Sequence, residues 1–242
     1  MTNQPRNCIR GSFIAAGLFV GLQLGACASK SPQQPSAADP VAANDAKMVE
    51  RTEKMRVRAL AAPGGAIEAS DFASHVTTLF TQGVSKRRPV PAELVDEAVK
   101  CLDQAKEAKP DDAPDLLVRK GELLLAAGKS EPGAGALRES IAIRPTLRAF
   151  APLAKFHAAQ KQSAELTALC KKALPAMKSD ESRYAVLDDC LKYSGATAPE
   201  AGLGWAPPKE VTFYKARRRE LDNRLAAAKQ QKAKEEAKAD KK

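Results

Sequence analysis

The feature that most constrains the fold is a helical spacing of apolar residues, which recurs between residues 69 and 195. The segment that shows it best carries apolar side chains at three- and four-residue intervals, namely Leu94, Val95, Ala98, Val99, Leu102 and Ala105. Such spacing places them on one face of an α-helix. Further segments of about a dozen residues share the pattern and are separated by glycine, proline or polar turns. The pattern predicts an all-α fold made of antiparallel helix hairpins.

The amino-acid composition is typical of closely packed helices. Apolar residues make up 44% of the 242 residues, whereas aromatic residues make up only 5%. A core must therefore be built mainly from alanine, leucine and valine, which suits helices better than a β-sandwich. The length of the chain allows one ordinary domain with appendages.

One predicted pair of helices, residues 114–145, resembles the tetratricopeptide repeat. Leu117 stands at the tryptophan position of that pattern, Gly121 at the glycine position and Leu124 at the tyrosine position. Leu137 takes the phenylalanine position, and a proline closes the unit. In that family, glycine and small residues let the two helices of a hairpin approach closely, and the larger apolar residues fill the space toward the next hairpin.

The neighbouring pairs carry the repeat pattern less completely, and Lys120 occupies a position that packs in the core of the family. The resemblance covers residues 70–195, about half of the chain. It implies a short α-solenoid with a binding groove along the inner helix of each hairpin. The candidate groove residues are Phe72, Leu79, Leu117, Leu124, Phe150 and Phe156. The alternative is a generic antiparallel helical bundle, which has no such groove.

The start of the chain has the layout of an export signal. Arg6 and Arg10 precede an apolar run, residues 13–26, which is too short to span a bilayer comfortably and ends at Cys27. The sequence LGAC at residues 24–27 resembles the lipobox of bacterial lipoproteins, in which the cysteine receives a diacylglyceryl group and the signal is cleaved before it. This resemblance implies lipid attachment at Cys27 and stable membrane anchoring. Ordinary secretion and an uncleaved membrane anchor remain alternatives.

The residues after Cys27 predict both a location and a tether. Residue 28 is alanine, whereas an aspartate there retains the lipoproteins of the best-known bacteria in the inner membrane. The resemblance therefore favours a cell-envelope protein in the outer membrane that faces the periplasm. The predicted divisions are a signal peptide (1–26), the lipidated cysteine with a disordered linker (27–47), a poorly defined lead-in (48–69), a helical repeat domain (70–195), a Gly/Pro/Trp loop (196–208) and a basic helix with a disordered tail (209–242).

Cysteines and histidines offer no predicted catalytic or metal site. Cys170 and Cys190 lie on consecutive predicted helices, so a disulfide can join them in an exported protein; otherwise they are two small buried residues, as Cys101 is predicted to be. His75 and His157 are isolated in the sequence. No serine–histidine–aspartate set, HExxH, Walker loop or paired-cysteine zinc motif is present. The sequence therefore predicts no catalytic residue, no metal and no cofactor.

The end of the chain is predicted to be a basic helix. Residues 209–242 contain twelve lysines and arginines and six acidic residues, out of a formal net charge of +10 for the whole chain. Arg217, Arg218 and Arg219 are interpreted as a contact with peptidoglycan or anionic lipid, with a solubilising tail as the alternative. Because no aromatic residues alternate with these charges, nucleic acid is not a predicted partner.

Together, these features predict a lipoprotein that acts as a non-catalytic protein–protein interaction scaffold or assembly adaptor, with an envelope protein as its unidentified partner. Such hairpins resemble assembly factors of envelope machines, including pilotin-type lipoproteins. One alternative is an envelope structural protein whose basic tail contacts peptidoglycan or anionic lipid, and another is an accessory subunit of an enzyme. Trp205, the only tryptophan, is interpreted as a cap on the last hairpin, with a partner contact as the alternative.

Overall fold

The computed structural model describes residues 40–88 and 90–239, with side chains described as far as residue 233. The predicted signal peptide, Cys27 and most of the predicted linker lie outside these residues. Every regular element in the described ranges is helical, which confirms the all-α prediction. The α-helices are α1 (Pro40–Ala61), α2 (Ala66–Thr81), α3 (Val84–Arg87), α4 (Ala92–Ala108), α5 (Ala113–Ala126), α6 (Ser130–Ile143), α7 (Leu147–Ala159), α8 (Ser163–Ala173), α9 (Asp180–Ser194), α10 (Pro199–Gly202) and α11 (Pro208–Ala239).

The helices pack as a short stack of hairpins. α2 pairs with α4, α5 with α6 and α7 with α8. The first helix of each pair also packs on the first helix of the next, so that α2 contacts α5, α5 contacts α7 and α7 contacts α9. Each second helix packs on the first helix that follows it, as α4 does on α5. This nearest-neighbour order is that of an α-solenoid.

Two glycines permit the close approach of α5 and α6. A Cβ atom built on Gly121 would lie 2.6 Å from Cγ of Leu137 and 3.1 Å from the carbonyl oxygen of Gly133. A Cβ atom built on Gly133 would lie 2.9 Å from the backbone nitrogen of Leu125. Real Cβ atoms essentially never show contacts shorter than 3.0 Å, so an alanine at either position would force its neighbours to shift. Gly121 stands at the glycine position of the repeat pattern, so a local sequence signal corresponds here to a tertiary contact.

Lys120, which departs from the repeat pattern, does not enter the core. Its Nζ lies 2.7 and 2.8 Å from the two carboxylate oxygens of Asp103 on α4. The long aliphatic stem of a lysine can cover apolar surface while its ammonium group stays near water. The ion pair therefore ties α5 to the preceding hairpin at the position where the family places a core residue.

The apolar core consists of two clusters that α5 connects. The N-terminal cluster draws on α1, α2, α4 and α5, and it includes Phe72 and Leu123. The C-terminal cluster extends from α5 through α9 to α11, and it includes Phe150 and Leu187. Because α5 supplies side chains to both clusters, it is the element that joins the two halves of the stack.

The predictions for residues 40–69 were wrong, because these residues form α1, a turn and the start of α2 rather than a linker and an undefined lead-in. The buried positions of α1 are Asp45, Thr52 and Ala59, so this helix has no apolar stripe that the sequence could reveal. Arg87 of α3 holds Asp45 through two hydrogen bonds, each 2.7 Å long. These hydrogen bonds to the guanidinium lower the pKa of the Asp45 carboxyl below its ordinary value.

Three other boundaries also differ from the prediction. Residues 84–91, where two prolines and four basic or polar residues predict a loop, contain the four-residue helix α3, and the predicted loop at residues 196–208 contains the short helix α10. The final helix continues to Ala239, although the sequence predicts a frayed or disordered end beyond residue 232. Alanine, lysine, glutamine and glutamate, which dominate that stretch, are strong helix formers, so the backbone can remain helical without an apolar face.

The first turns of α11 dock on α9. The Tyr214 hydroxyl donates a hydrogen bond to Oδ1 of Asp188 at 2.9 Å, and its ring stacks on Tyr184 at 5.2 Å between ring centroids. Burial, together with the hydrogen bond to Asp188, raises the pKa of Tyr214, so its hydroxyl stays protonated and can act as the donor. Arg183 of α9 donates two hydrogen bonds to Glu210, at 2.8 and 2.7 Å. These contacts attach only the start of this 32-residue helix.

Candidate binding groove

A groove of about 490 Å³ crosses the first helices of the three hairpins. We call it the inner groove, and its walls come from α2, α5 and α7 together with the start of α6. Its lining residues are Thr77, Thr81, Glu122, Leu125, Ala126, Ser130, Pro152, Lys155, Phe156, Ala159 and Gln160. A volume of this size lies in the ordinary range for a binding site.

The floor of the inner groove is mainly apolar. Leu125, Ala126, Pro152 and Phe156 contribute side chains without hydrogen-bonding groups. The hydroxyl of Thr77 donates to the carbonyl oxygen of Ala73 at 2.8 Å, so its hydrogen is used within α2. A ligand in such a groove gains more binding free energy from the burial of apolar surface than from hydrogen bonds.

A polar network fixes the helices that form the groove. Arg119 of α5 donates to the Ser70 hydroxyl of α2 at 3.2 Å and to Glu122 at 3.3 Å. Arg148 of α7 donates to the same carboxylate at 2.9 and 3.3 Å. One network therefore joins α2, α5 and α7, and it neutralises the only carboxylate that lines the inner groove. The exposed Lys155 forms no ion pair with any residue that the structure describes, so the wall carries a positive charge.

The predicted groove residues lie on the correct helices but inside the core. Phe72, Leu79, Leu117, Leu124, Phe150 and Phe156 are each at most 6% exposed. Only Phe156 lines the inner groove, so the prediction of an open groove made of these six side chains was wrong. Periodicity selects the stripe that packs between layers, whereas the groove is lined, apart from Phe156, by residues on another part of the same helices. Nothing in the apolar pattern marks those residues.

Two of the three predicted basic contacts are occupied within the protein. Arg217 pairs with Glu220 at 2.6 Å and lies 3.7 Å from Glu181. Arg218 pairs with Asp188 and with its own-helix neighbour at residue 222. Arg219 is exposed and forms no ion pair with a described residue. The contact of these arginines with peptidoglycan or anionic lipid stays a prediction, and two of the three already form ion pairs within the protein.

Cys170 of α8 and Cys190 of α9 are joined by a disulfide, and both residues are buried. Cys101 is a free buried thiol, and burial raises its pKa. His157 is also buried, and its Nδ1 lies 2.7 Å from Oε1 of Gln162 at the turn after α7. His75 lies on α2 and lines a cavity of about 290 Å³ that residues of α1 and α2 enclose. Each of these side chains occupies a packing or turn position away from the inner groove.

Neither metal-binding clusters nor membrane-spanning helices occur in the part of the chain that the structure describes. Within residues 40–88 and 90–239, no three histidine, cysteine, aspartate or glutamate side chains are grouped so that they could hold a metal ion. No helix in these same ranges combines the length and the hydropathy needed to cross a bilayer. Comparison with known proteins gives no match to a family model, to a curated protein or to a solved structure.

Proposed function

We propose that this chain is a lipid-anchored protein of the bacterial cell envelope that acts as a non-catalytic interaction scaffold. The inner groove carries this proposal. It combines an apolar floor with a network that holds α2, α5 and α7 in place before any partner binds. A preorganised groove loses less conformational entropy on binding than a surface that must first order itself.

The occupant that fits the inner groove best is an amphipathic helix of a partner protein. The apolar face of such a helix covers Leu125, Ala126 and Phe156, as in other helix-in-groove complexes. An acidic residue at the edge of that face meets Lys155, whose ammonium group has no partner in the described chain. Because Glu122 is already neutralised, a basic partner helix gains no matching contact at this wall.

Groove variants test the scaffold function. Thr81→Arg and Ala159→Arg place long charged side chains in the inner groove without removing core atoms, since both residues are exposed. The matched control is Ala142→Arg, an exposed position on α6 outside the groove. We expect a photo-crosslinker at residue 126, used in intact cells, to capture a defined envelope protein.

The affinity of that purified partner for the scaffold should fall at least about tenfold with either groove variant, as expected for the loss of one well-packed contact. The control variant should bind like the wild type. Equal affinity for all of the variants, or a partner captured equally from residue 135 on the outer side of α6, contradicts groove binding.

The proposed membrane anchor rests on the resemblance of residues 24–27 to a lipobox. Mass spectrometry of the mature amino terminus should find acylated Cys27, and Cys27→Ser should move the protein from the membrane to the soluble fraction. Density-gradient separation then distinguishes the proposed outer-membrane location from the inner membrane. An unmodified amino terminus, or a Cys27→Ser protein that still sediments with membranes, contradicts this part of the proposal.

An envelope structural role is the second candidate, and the exposed part of α11 favours it. From Asp222 to residue 233 every side chain is exposed, so this segment is available for contact with an anionic polymer or lipid. This role predicts salt-sensitive sedimentation of the protein with purified peptidoglycan or with anionic vesicles. Sedimentation should disappear when residues 222–242 are deleted, and sedimentation that survives the deletion contradicts a role for the tail.

A further inference from the structure

A second cleft, remote from the inner groove along the chain, encloses about 540 Å³ near the end of the stack. One side is formed by the end of α8 and the short 3-10 helix that follows it, with Leu174, Pro175 and Met177. The other side is formed by Trp205 and Pro207, which lead into α11. The cleft therefore combines apolar surfaces from two segments about 30 residues apart in the sequence.

The charges around this cleft are positive and unpaired. The one carboxylate in its lining, Glu210, accepts two hydrogen bonds from Arg183, so these two charges cancel. Lys171, Lys178 and Lys209 also line the cleft, and each is exposed. The ammonium groups of these three lysines form no hydrogen bond and no ion pair with any described residue. Three ammonium groups around one cavity favour a ligand that carries negative charge.

Trp205 gives the cleft a flat ring surface. Its side chain is partly buried and packs against the C-terminal cluster while it also lines the cavity. The core thus holds the indole in place, which agrees with the predicted capping position of Trp205. The part of the ring that lines the cavity is still available to a ligand. An immobilised aromatic ring provides contact area at little cost in conformational entropy.

The backbone around the cleft does not favour an extended peptide. The Met177 amide donates to the carbonyl oxygen of Leu174 at 3.2 Å, and the Glu210 amide donates to that of Pro207 at 2.8 Å. These main-chain donors are already used, whereas recognition of an extended peptide depends on free backbone groups. A sugar ring needs no such partner, because its apolar face can rest on a ring while its charged substituents reach the lysines.

We propose that this cleft binds an anionic saccharide, with a sugar ring on Trp205 and its carboxylate or phosphate groups on Lys171, Lys178 and Lys209. The ligand chemistry has two envelope sources, the carboxylated amino sugar of the cell wall and the phosphorylated amino sugar of a glycolipid headgroup. The choice of these two sources rests on the proposed envelope location, whereas the cleft itself shares no lining residue with the inner groove and can bind an anionic sugar whether or not the groove binds a partner.

The single tryptophan makes the site directly measurable, because its fluorescence reports on this cleft alone. The probes are N-acetylglucosaminyl-N-acetylmuramic acid for the wall source and glucosamine disaccharide bisphosphate for the glycolipid source. Neutral N,N′-diacetylchitobiose and tetraglutamate are the comparison ligands. Titration calorimetry under the same conditions detects binding that leaves the fluorescence unchanged.

We expect at least one anionic disaccharide to bind, to change the Trp205 fluorescence and to bind more weakly at high salt. The double variant Lys171→Gln/Lys178→Gln should weaken this binding by about tenfold or more. The matched control is Lys100→Gln/Lys229→Gln, which removes the same charge from exposed positions outside the cleft and should bind like the wild type. Which of the two anionic probes binds more tightly identifies the source.

Three results would overturn the proposal. One is the absence of binding of either anionic disaccharide by fluorescence and by calorimetry. Another is equal affinity for neutral chitobiose or equal affinity of the two double variants, since the lysines would then play no part. The third is tighter binding of tetraglutamate than of both anionic disaccharides, which would assign the cleft to an acidic peptide.

Discussion

At the scale of single residues, two glycines and one buried carboxylate have effects that their side-chain chemistry alone does not indicate. Gly133 is helical and has an ordinary negative φ, so its value lies in the space it leaves rather than in its backbone freedom. Gly135 lies on the same helix, but an added Cβ there would meet nothing within 4 Å. These two residues differ only in what faces them.

The pair of glycines gives a matched test of close packing. Gly133→Ala should lower the free energy of unfolding by about 1–3 kcal/mol, because the new Cβ meets the backbone of α5. Gly135→Ala should raise it by about 0.5–1 kcal/mol, because alanine is the better helix former and the site is open. Urea denaturation measures both changes. If Gly133→Ala stabilises the protein as much as Gly135→Ala does, or if neither variant changes the free energy of unfolding, the helices are farther apart than described.

The Asp45–Arg87 pair makes stability depend on pH. Because the folded-state pKa of Asp45 is lowered from 3.8, the ionised form favours the folded state. The stabilisation that ionised Asp45 provides is complete at neutral pH. It is lost as the pH falls past the ordinary carboxyl pKa and then through the lower pKa of the folded state. We expect Asp45→Asn to destabilise the protein at pH 7 and to reduce its loss of stability in acid.

The control for this pair is Asp96→Asn, which breaks an ion pair between Lys129 and a largely exposed carboxylate. Exposed pairs contribute little, so this variant should retain the pH dependence of the wild type. Thermal unfolding between pH 7 and pH 3 makes the comparison. If the two variants have the same pH profile, the pair between α1 and α3 does not form in solution.

At the scale of elements, the last helices are held by different means from the earlier ones. α5 and α6 rely on close glycine packing, whereas a covalent bond joins α8 to α9. The start of α11 is attached through Tyr214, Arg183 and their acidic partners, and the rest of that helix is exposed. Toward the end of the chain, the helices are thus held by a few specific bonds rather than by packing along their whole length.

Reduction of the disulfide should destabilise the protein. The bond joins cysteines 20 residues apart, so loop closure predicts a stabilisation of about 3 kcal/mol relative to the reduced chain. We expect denaturation in the presence of a reductant to shift by about this amount. The Cys170→Ala/Cys190→Ala variant serves as the control and should be insensitive to the reductant. A wild type equally insensitive to it would mean that the bond is absent from the purified protein.

Deleting the exposed end of α11 should leave the fold intact. Removal of residues 222–242 should change the free energy of unfolding by less than about 0.5 kcal/mol, because only exposed side chains are lost from the described part. Tyr214→Phe should instead cost about 1 kcal/mol, because it removes the hydrogen bond to Asp188. Denaturant titrations of the two variants give the comparison. A truncation that costs more than Tyr214→Phe would reveal packing of the tail that the contacts of α11 do not include.

At the scale of the whole molecule, α5 connects the two core clusters and forms part of the inner groove. It packs against α2, α4 and α6 and also touches α7. Helices at the ends of a solenoid have neighbours on one side only. The groove is therefore built around the most enclosed helix of the stack, which favours a rigid groove wall.

Hydrogen exchange should follow this arrangement. The slowest backbone amides are expected in α5, and the fastest of the described helices should be the exposed part of α11. Native-state exchange followed by mass spectrometry of peptides resolves the two. Exchange in α5 as fast as in the end of α11 would contradict a stack held together at its centre.

The sequence alone was sufficient to predict the all-α class, the main hairpins and the small residues between α5 and α6, because periodicity and close-packing signals are local. A disulfide joins the two cysteines that the spacing of consecutive helices had suggested. α1 was missed because its buried positions, Asp45 and Thr52 among them, carry no apolar stripe.

Only the tertiary structure decided which faces of the helices line cavities and which pack in the core. The inner groove collects residues from Thr77 to Gln160, and the sequence pattern singles out only Phe156 among them. Arg217 and Arg218 reach Glu181 and Asp188 of α9 only because α11 docks on that helix. A local pattern specifies which side of a helix is apolar, but the cavities and charge pairs arise between helices, where the order of packing determines which side chains meet.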